Sequence, residues 1–322
     1  MRNTAIDKKY QNSVRIATII GVISVTLNIL LGSSKIVAGR MLGSNAVFSD
    51  GVHGTGDVLT TLIAIISVWI AARKRNAKYN YGHEKWSDIA CIILATILFV
   101  TAGTILVESI QNIVAVATSS GSSDESTLFG STLWWVCMGL AIASVIVKEI
   151  MFYITWYGGK KAHSSAMKLD AWHQRIDALS SVAAIIGLMG YYWMPEKNLL
   201  DPIFSLPIVF MIVGIGVSTF RKAAHELTDH AIPEEKMKEV RATVLTLIPE
   251  AALKTIHSRM YSEKFYLDIY LLQDPNQNLK EASALSDCIR QTLFAKFDDL
   301  KDIYVIVEPN DEEHRTQEET ER

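Results

Sequence analysis

The residue types best able to do chemistry in this sequence recur as a pair. One stretch reads Asp50-Gly-Val-His53-Gly-Thr-Gly-Asp57, the other Asp170-Ala-Trp-His173-Gln-Arg-Ile-Asp177. Both follow the pattern D-x2-H-x3-D, 120 positions apart, and Ser44 and Ser164 extend the match upstream. A histidine and an aspartate four residues apart lie on one helical face. Two such faces brought together would converge two imidazole nitrogens and two carboxylates. An N2O2 tetrahedron suits Zn2+, and Co2+ and Cd2+ less closely. The two carboxylates would also neutralise a divalent charge. The plainer alternative is a polar helix–helix contact that happens to repeat. Each stretch sits inside a long apolar segment, and ionisable residues at bilayer depth are costly and mark function.

Asp50 and Asp170 lie seven residues before Asp57 and Asp177. That is nearly two turns, so each shares the motif face about 10 Å along the axis. They are read as way-stations for metal or protons, or as partners of nearby backbone or of Lys168 and Arg175. Gly51, Gly54 and Gly56 crowd the first copy. They allow close helix approach, or leave room for a hydrated ion.

Composition fixes what must hold these residues. The 322-residue chain is 49% hydrophobic and 20% charged, with positive mean hydropathy. A membrane part joined to a soluble part accounts for both figures. The net charge of −3 gives no basic bias towards nucleic acid. Cys91, Cys137 and Cys288 are scattered, forming neither a CxxC pair nor a disulfide framework. The polar N-terminal segment leads into an apolar run without a small-residue cleavage site, which reads as a retained first span.

Six apolar segments can each cross a bilayer, at about 16–39, 44–72, 89–117, 131–157, 164–192 and 202–220. The fourth carries Lys148 beside Glu149, a pair that must face protein or water. Arg and Lys gather before the first span, between the second and third (Arg73, Lys74, Arg75, Lys78, Lys85) and between the fourth and fifth (Lys160, Lys161). The alternate loops hold little: Arg40, the stretch Ser119–Ser126, and Lys197. The positive-inside rule therefore places both termini in the cytoplasm. Trp134, Trp135 and Trp193 near outer ends, and Trp69 and Trp156 near inner ends, fit interfacial anchors. Span one runs outward and span four inward, so the halves form an inverted 3+3 repeat whose site lies near the midplane.

After Phe220 the pattern changes to a small α-β-β-α-β domain: a helix from Pro233 to about Ile248, strands Lys254–Tyr261 and Lys264–Leu272, a helix Leu279–Phe297 and a strand Asp302–Val307. The expected domains are 1–221, a six-helix transmembrane transport domain, 222–310, a cytoplasmic domain, and 311–322, a disordered tail.

With these motifs in place, the chain resembles the cation diffusion facilitators, divalent-metal/proton antiporters. The likeness rests on S-x5-D-x2-H-x3-D in span two, H-x3-D in span five, Tyr81-Gly82-His83-Glu84-Lys85 before span three, Asp201-Pro202 opening span six, and the small terminal domain. It implies six spans, a homodimer, alternating access and a ferredoxin-like terminal domain. It assigns the transport site to His53, Asp57, His173 and Asp177. Members with histidine at the His53 position are mostly zinc exporters. The resemblance also implies accessory positions. His83 matches one ligand of a loop metal site, but Tyr79 and Asn76 stand where others are expected; capping of span three or contact with headgroups is the alternative for His83. His257 and Glu308 match part of a zinc pair that the family's cytoplasmic domain can hold at the dimer interface, whose other positions read Tyr270, Ser283 and Ile306; an interface of apolar and hydrogen-bonded contacts is the alternative. Lys85 and Asp229 match an interlocking salt bridge. His230 has no assigned part.

The expected activity is proton-coupled export of Zn2+, with Co2+ or Cd2+ also carried, in the lipid bilayer of a bacterial cytoplasmic membrane. No resident cofactor is expected; Zn2+ is the substrate, and a bound ion in the cytoplasmic domain is a further expectation. Metal binding needs neutral imidazole and ionised carboxylate, so it releases protons. The alternatives are an Fe2+ or Mn2+ exporter of the same family, a membrane-anchored metal sensor or scaffold, and an intramembrane metalloenzyme. The last lacks HExxH, and four protein ligands would close its coordination.

Overall fold

The computed structural model describes residues 2–42, 45–118, 132–193, 200–262 and 264–310. The chain divides into two compact units, Met1–Ala224 and His225–Arg322.

The first unit is a helical bundle. Its elements are α1 (Arg2–Leu42), α2 (Asn45–Ala71), α3 (Lys85–Thr118), α4 (Thr132–Ala162), α5 (Ser165–Trp193) and α6 (Leu200–Leu227), the last running into the second unit. Five of them contain stretches long and apolar enough to cross a membrane: Gln11–Ala38, Gly51–Ala71, Lys85–Gln111, Met138–Ala162 and Leu206–Leu227. Leu30, Val100, Ile146 and Phe210 are each more than half exposed. Such a ring of bare aliphatic side chains belongs in lipid, not water. The chain is therefore a polytopic α-helical membrane protein.

The sixth long helix, α5, is interrupted by charge, with Lys168, Asp170, Arg175 and Asp177 along it. It is also the most enclosed. Ala166, Met167, Leu169, Asp170, Ala171, His173, Gln174, Ile176, Asp177 and Ala178 are all buried. Its 29 residues span about 43 Å, enough to cross the bilayer. A polar helix crosses lipid by putting other helices around itself. Equivalent helices of the two halves pair, α1 along α2 and α4 along α5, while α1 also meets α4 and α2 also meets α5. A core of Ala64, Ala90, Leu94, Leu98, Ile176 and Ile212 ties α2, α3, α5 and α6 together.

Helices outrun the apolar segments. The polar residues before Ile16 continue α1 back to Arg2, because no glycine or proline interrupts them. Likewise α6 passes Phe220 and ends at Leu227. It stops in a left-handed Asp229 (φ 56°), with His230 N–H donating to the His225 carbonyl at 3.0 Å. That six-to-one bond is the Schellman ending of a helix.

Of the three motif glycines, Gly51 alone is a contact that requires glycine. A Cβ there would lie 2.6 Å from Ile36 N and 2.9 Å from Gly32 O, both backbone atoms of α1. Gly54 would meet only the Gly32 Cα at 3.9 Å, and Gly56 faces open space. Close packing explains the first glycine and not the third.

The second unit has α7 (Glu234–Leu245), β1 (Leu253–Tyr261), β2 (Lys264–Gln273), α8 (Leu279–Lys296) and β3 (Leu300–Pro309). β2 is central, antiparallel to β1 and parallel to β3. The α8 crossover makes the parallel pairing possible. Phe265, Leu267, Ile269 and Leu271 alternate along β2 towards Val240 and Val244 of α7 and Ile289 and Leu293 of α8. Asn278 caps α8 by accepting from Lys280 N–H at 3.0 Å. This is the small α+β domain expected from the sequence, with β1 and β2 one residue longer, β3 two residues longer at each end and α7 ending at Leu245 instead of about Ile248. Because Ile289 is wholly buried, Ile289→Ala is expected to destabilise this unit by about 2–4 kcal/mol. Chemical unfolding followed by tryptophan-independent circular dichroism would register it; a loss under about 0.5 kcal/mol would contradict the packing.

Candidate metal centre

The centre is built where α2, α4 and α5 meet. His173 Nε2 is 3.2 Å from Asp57 Oδ1 and 3.9 Å from Asp177 Oδ2. A ring nitrogen of His53 and one oxygen each from Asp57 and Asp177 lie within 4.8 Å of one another, close enough to share an ion. Asp57, His173 and Asp177 are buried, whereas His53 is exposed and forms the open corner. The structure thus brings His53, Asp57 and Asp177 within reach of one ion, with His173 beside both aspartates but outside that group of three.

A fifth group stands among them. Lys148 Nζ of α4 donates to Asp57 Oδ2 at 2.7 Å and to Asp177 Oδ2 at 2.8 Å. Lys148 is itself buried. Its neighbour Glu149 points elsewhere, 3.6 Å from Arg175, and both are about one-third exposed. The Arg175 guanidinium also lies over the rings of Phe152 and Trp172. The sequence required the Lys148–Glu149 pair to face protein or water, and the two residues divide those roles. That Lys148 reaches both motif aspartates was not foreseen.

The helices repeat each other beyond the ligands. Thr60 and Thr61 hydroxyls donate to the Asp57 carbonyl at 2.8 and 3.2 Å. Ser180 and Ser181 donate to the Asp177 carbonyl, both at 2.9 Å. Hydroxyls bonding back one turn compete with the helix's own bonds, here just after each motif aspartate. The signal was present in the sequence. The offset of 120 continues through Leu59 and Leu179, Thr60 and Ser180, and Thr61 and Ser181.

Asp170 sits one layer away, fully buried. Its carboxylate accepts from Gln174 Nε2 at 3.1 Å and lies 3.1 and 3.2 Å from the Thr60 and Thr61 hydroxyls, each of whose single protons goes either to it or to the Asp57 carbonyl. Gln174 continues to Ser24 of α1 and Thr155 of α4 at 3.2 and 3.3 Å. The polar partners of Asp170 are thus hydroxyls and an amide, where the sequence suggested backbone, Lys168 or Arg175. Burial explains the difference: Arg175 points outward to Glu149, leaving the short neutral side chains to face inward. A crevice lined by Thr60, Leu94, Ile97, Leu98, Leu169, Asp170 and His173 adjoins this layer. The Asp50 side chain and Ser44 lie outside the described residues, as do the 119–131 segment, the Trp134, Trp193 and Lys197 side chains, those of Asp201 and Pro202, and residues 311–322.

Residues 21–228 match the cation efflux transmembrane domain, and residues 232–310 the cytoplasmic domain of cation efflux proteins. The chain belongs to the cation diffusion facilitator, or cation efflux, family. Among curated relatives of this cation efflux protein are metal tolerance protein C1 of Arabidopsis thaliana, 26% identical over 291 residues, covering 89% of this chain. This chain spans 61% of that plant protein's length. Magnetosome protein MamB of Magnetospira sp. (strain QH-2) is 28% identical over 283 residues, covering 88% of this chain and 92% of the relative. The manganese efflux system protein MneP of Bacillus subtilis (strain 168) is 24% identical over 302 residues, covering 91% and 96%.

The accessory positions of this cation efflux protein are not drawn together in the same way. The His83 ring is buried and lies tilted against Tyr79 at 4.4 Å between centroids. Its carbonyl accepts from Trp86 N–H at 3.1 Å, closing the first turn of α3 through the backbone. Among the described residues it joins no group of three metal-ligating side chains. His257 and Glu308 lie on the two outer strands of the sheet, opposite Asp268 and Leu272 of β2 respectively. Two strand spacings and four residues of offset put them roughly 16 Å apart within one chain. They cannot share an ion within one protomer. Glu308 instead accepts from Lys254 Nζ at 2.6 Å, and the His257 ring lies edge-on to Tyr270. Lys85 opens α3 and Asp229 forms the left-handed end of α6, in the first and second units respectively. His230, unassigned from the sequence, stacks on His225 at 4.6 Å beyond that turn.

Proposed function

We propose that this protein exports divalent metal ions, Zn2+ first among them, through a transport site formed by His53, Asp57, His173 and Asp177. The observation that carries the reading is the grouping of His53, Asp57 and Asp177 within reach of one ion between α2 and α5, with His173 against Asp57. Two imidazoles and two carboxylates are a ligand set for Zn2+. The relative named for manganese efflux makes Mn2+ the second reading.

His173 Nε2 faces the Asp57 carboxylate, a contact suited to a proton on that nitrogen. Ligation through Nε2 requires the proton to leave, so metal entry is coupled to proton release. Alternating access at this one site, with protons competing from outside, makes the protein a secondary active antiporter. The transport domain is 1–221, the cytoplasmic domain 222–310 and the tail 311–322. Both termini face the cytoplasm, and the membrane is a bacterial inner membrane. The match to the cytoplasmic domain of cation efflux proteins supports a homodimer. Asp170 stands on the path to the site.

The test is flux into proteoliposomes across a panel of Zn2+, Mn2+, Fe2+, Co2+ and Cd2+, with and without a pH gradient. Zn2+ is expected to be carried fastest and only with the gradient; equal rates without it would remove the antiport mechanism. Asp170→Asn in the same assay is expected to slow flux, and an unchanged rate would take Asp170 off the path.

A further inference from the structure

Nothing in the two H-x3-D pairs requires a lysine, yet Lys148 holds the most central place in the centre. Its ammonium bridges Asp57 and Asp177 at 2.7 and 2.8 Å, touching one oxygen of each. Those same carboxylates are the anionic half of the ligand set. A divalent ion bound by Asp57 and Asp177 would have to lie within bonding distance of them, where the ammonium already is. Two cations cannot share that space, because the remaining repulsion would act over a few ångströms in a site shielded from water. The contact is also not a surface accident: Lys148, Asp57 and Asp177 are all buried. Lys148 has a flexible four-carbon stem that moves its charge without moving α4.

We propose that Lys148 is a tethered counter-ion of the transport site, its ammonium and the divalent cargo occupying the Asp57–Asp177 pair in alternation. The proposal rests on the transport-site reading above. Its consequence is a specific account of the empty half of the cycle. A carrier whose cargo has left would otherwise return with Asp57 held only by His173 and Asp177 without a close partner at bilayer depth, which is costly. With Lys148 between them, three charges sum to −1 and every carboxylate keeps a partner. The cargo, on arrival, must displace the ammonium, so the measured affinity is lower than that of the four ligands alone. The apparent dissociation constant is the intrinsic one divided by the fraction of carriers with the lysine withdrawn. α1 supplies a second inward lysine nearby: Lys35 Nζ donates at 2.8 Å to Ser144, one turn from Lys148 on α4.

The experiment uses full-length protein in nanodiscs at pH 8, where proton competition is small, titrated with Zn2+ by calorimetry, alongside Zn2+ flux in proteoliposomes. Lys148→Met keeps the length and removes the charge. It is expected to bind Zn2+ about tenfold tighter or more, to lower KM, and to lower the maximal rate because release is slowed. Lys148→Arg keeps the charge and forks onto both carboxylates, so it is expected to bind more weakly than the wild type. Equal or weaker binding by a folded Lys148→Met variant would show a merely structural ion pair and overturn the proposal. Should Lys148→Met not fold, the arginine variant decides alone: affinity equal to or above wild type overturns it. The Asp57→Asn/Asp177→Asn double variant separates the two readings. If wild type binds Zn2+ no better than that variant, the transport site itself is wrong. If wild type binds better but the lysine variants do not order as Met, Lys, Arg, only the counter-ion proposal falls.

Discussion

Asparagine at both position 57 and position 177 is expected to abolish metal flux, and a third substitution, Lys148→Met, is expected to restore the fold without restoring the flux. The first half follows from the ligand set. Removing both carboxylates leaves two imidazoles, too few donors and no negative charge to offset a divalent ion in the membrane. The second half follows from Lys148. Its ammonium has Asp57 and Asp177 as its two carboxylate partners within 2.8 Å. Taking both away leaves a buried, uncompensated charge, which costs about 3–5 kcal/mol. Replacing the lysine by methionine removes that charge and fills the same volume, so most of the loss should be regained. Thermal unfolding in detergent measures the stability and proteoliposome flux the activity. Wild-type flux in the double variant would mean that the ion binds elsewhere. A double variant as stable as wild type would mean that Lys148 does not depend on these carboxylates. Low stability with the fold regained and flux still absent in the triple variant is the combination that places both roles at one spot.

How much of this was legible in the sequence depended on whether the cause was local. The H-x3-D pairs were legible because four residues is a helical repeat, and the repeat fixes a face before any tertiary contact is known. The strands of the second unit were legible for the same reason: Phe265, Leu267, Ile269 and Leu271 alternate with period two, and no distant residue is needed to see it. Lys148 was visible as an expense but not as a member of the centre. Its position is set by how α4 lies against α5 and α1, and nothing on α4 repeats with the motif. The Asp170 partners were missed for a related reason. Charge suggested Lys168 and Arg175, but long charged side chains reach outward from a buried helix, as Arg175 does towards Glu149, and leave short hydroxyls inside. The pairs Thr60–Thr61 and Ser180–Ser181 could have been found by extending the 120-residue comparison four places further.

Gly51→Ala is expected to cripple transport, while Gly56→Ala, five residues on, is expected to be harmless or mildly stabilising. Helix propensity alone predicts the same gain at both, about 1 kcal/mol for alanine over glycine. The surroundings decide otherwise. At Gly51 the added methyl would fall 2.6 Å from Ile36 N and 2.9 Å from Gly32 O. Those atoms belong to the backbone of α1 and cannot rotate aside as a side chain would. Either α1 and α2 separate along their shared face or α2 turns about its axis. Overpacking of this kind typically costs about 1–3 kcal/mol, which offsets the propensity gain and leaves the variant destabilised. The larger effect is on geometry. His53 and Asp57 follow Gly51 on the same helix by two and six residues, so a displacement of α2 moves both ligands relative to His173 and Asp177 on α5. A misplacement of about 1 Å at a reacting centre can cost a hundredfold in rate, so a tenfold to hundredfold loss of Zn2+ flux is expected from Gly51→Ala. At Gly56 nothing lies within 4 Å of the new methyl, so only the propensity gain remains. Flux and thermal unfolding measured on the two variants together make the comparison internal to one helix. Equal behaviour of the pair, in either direction, would mean that α1 does not set the position of the motif on α2.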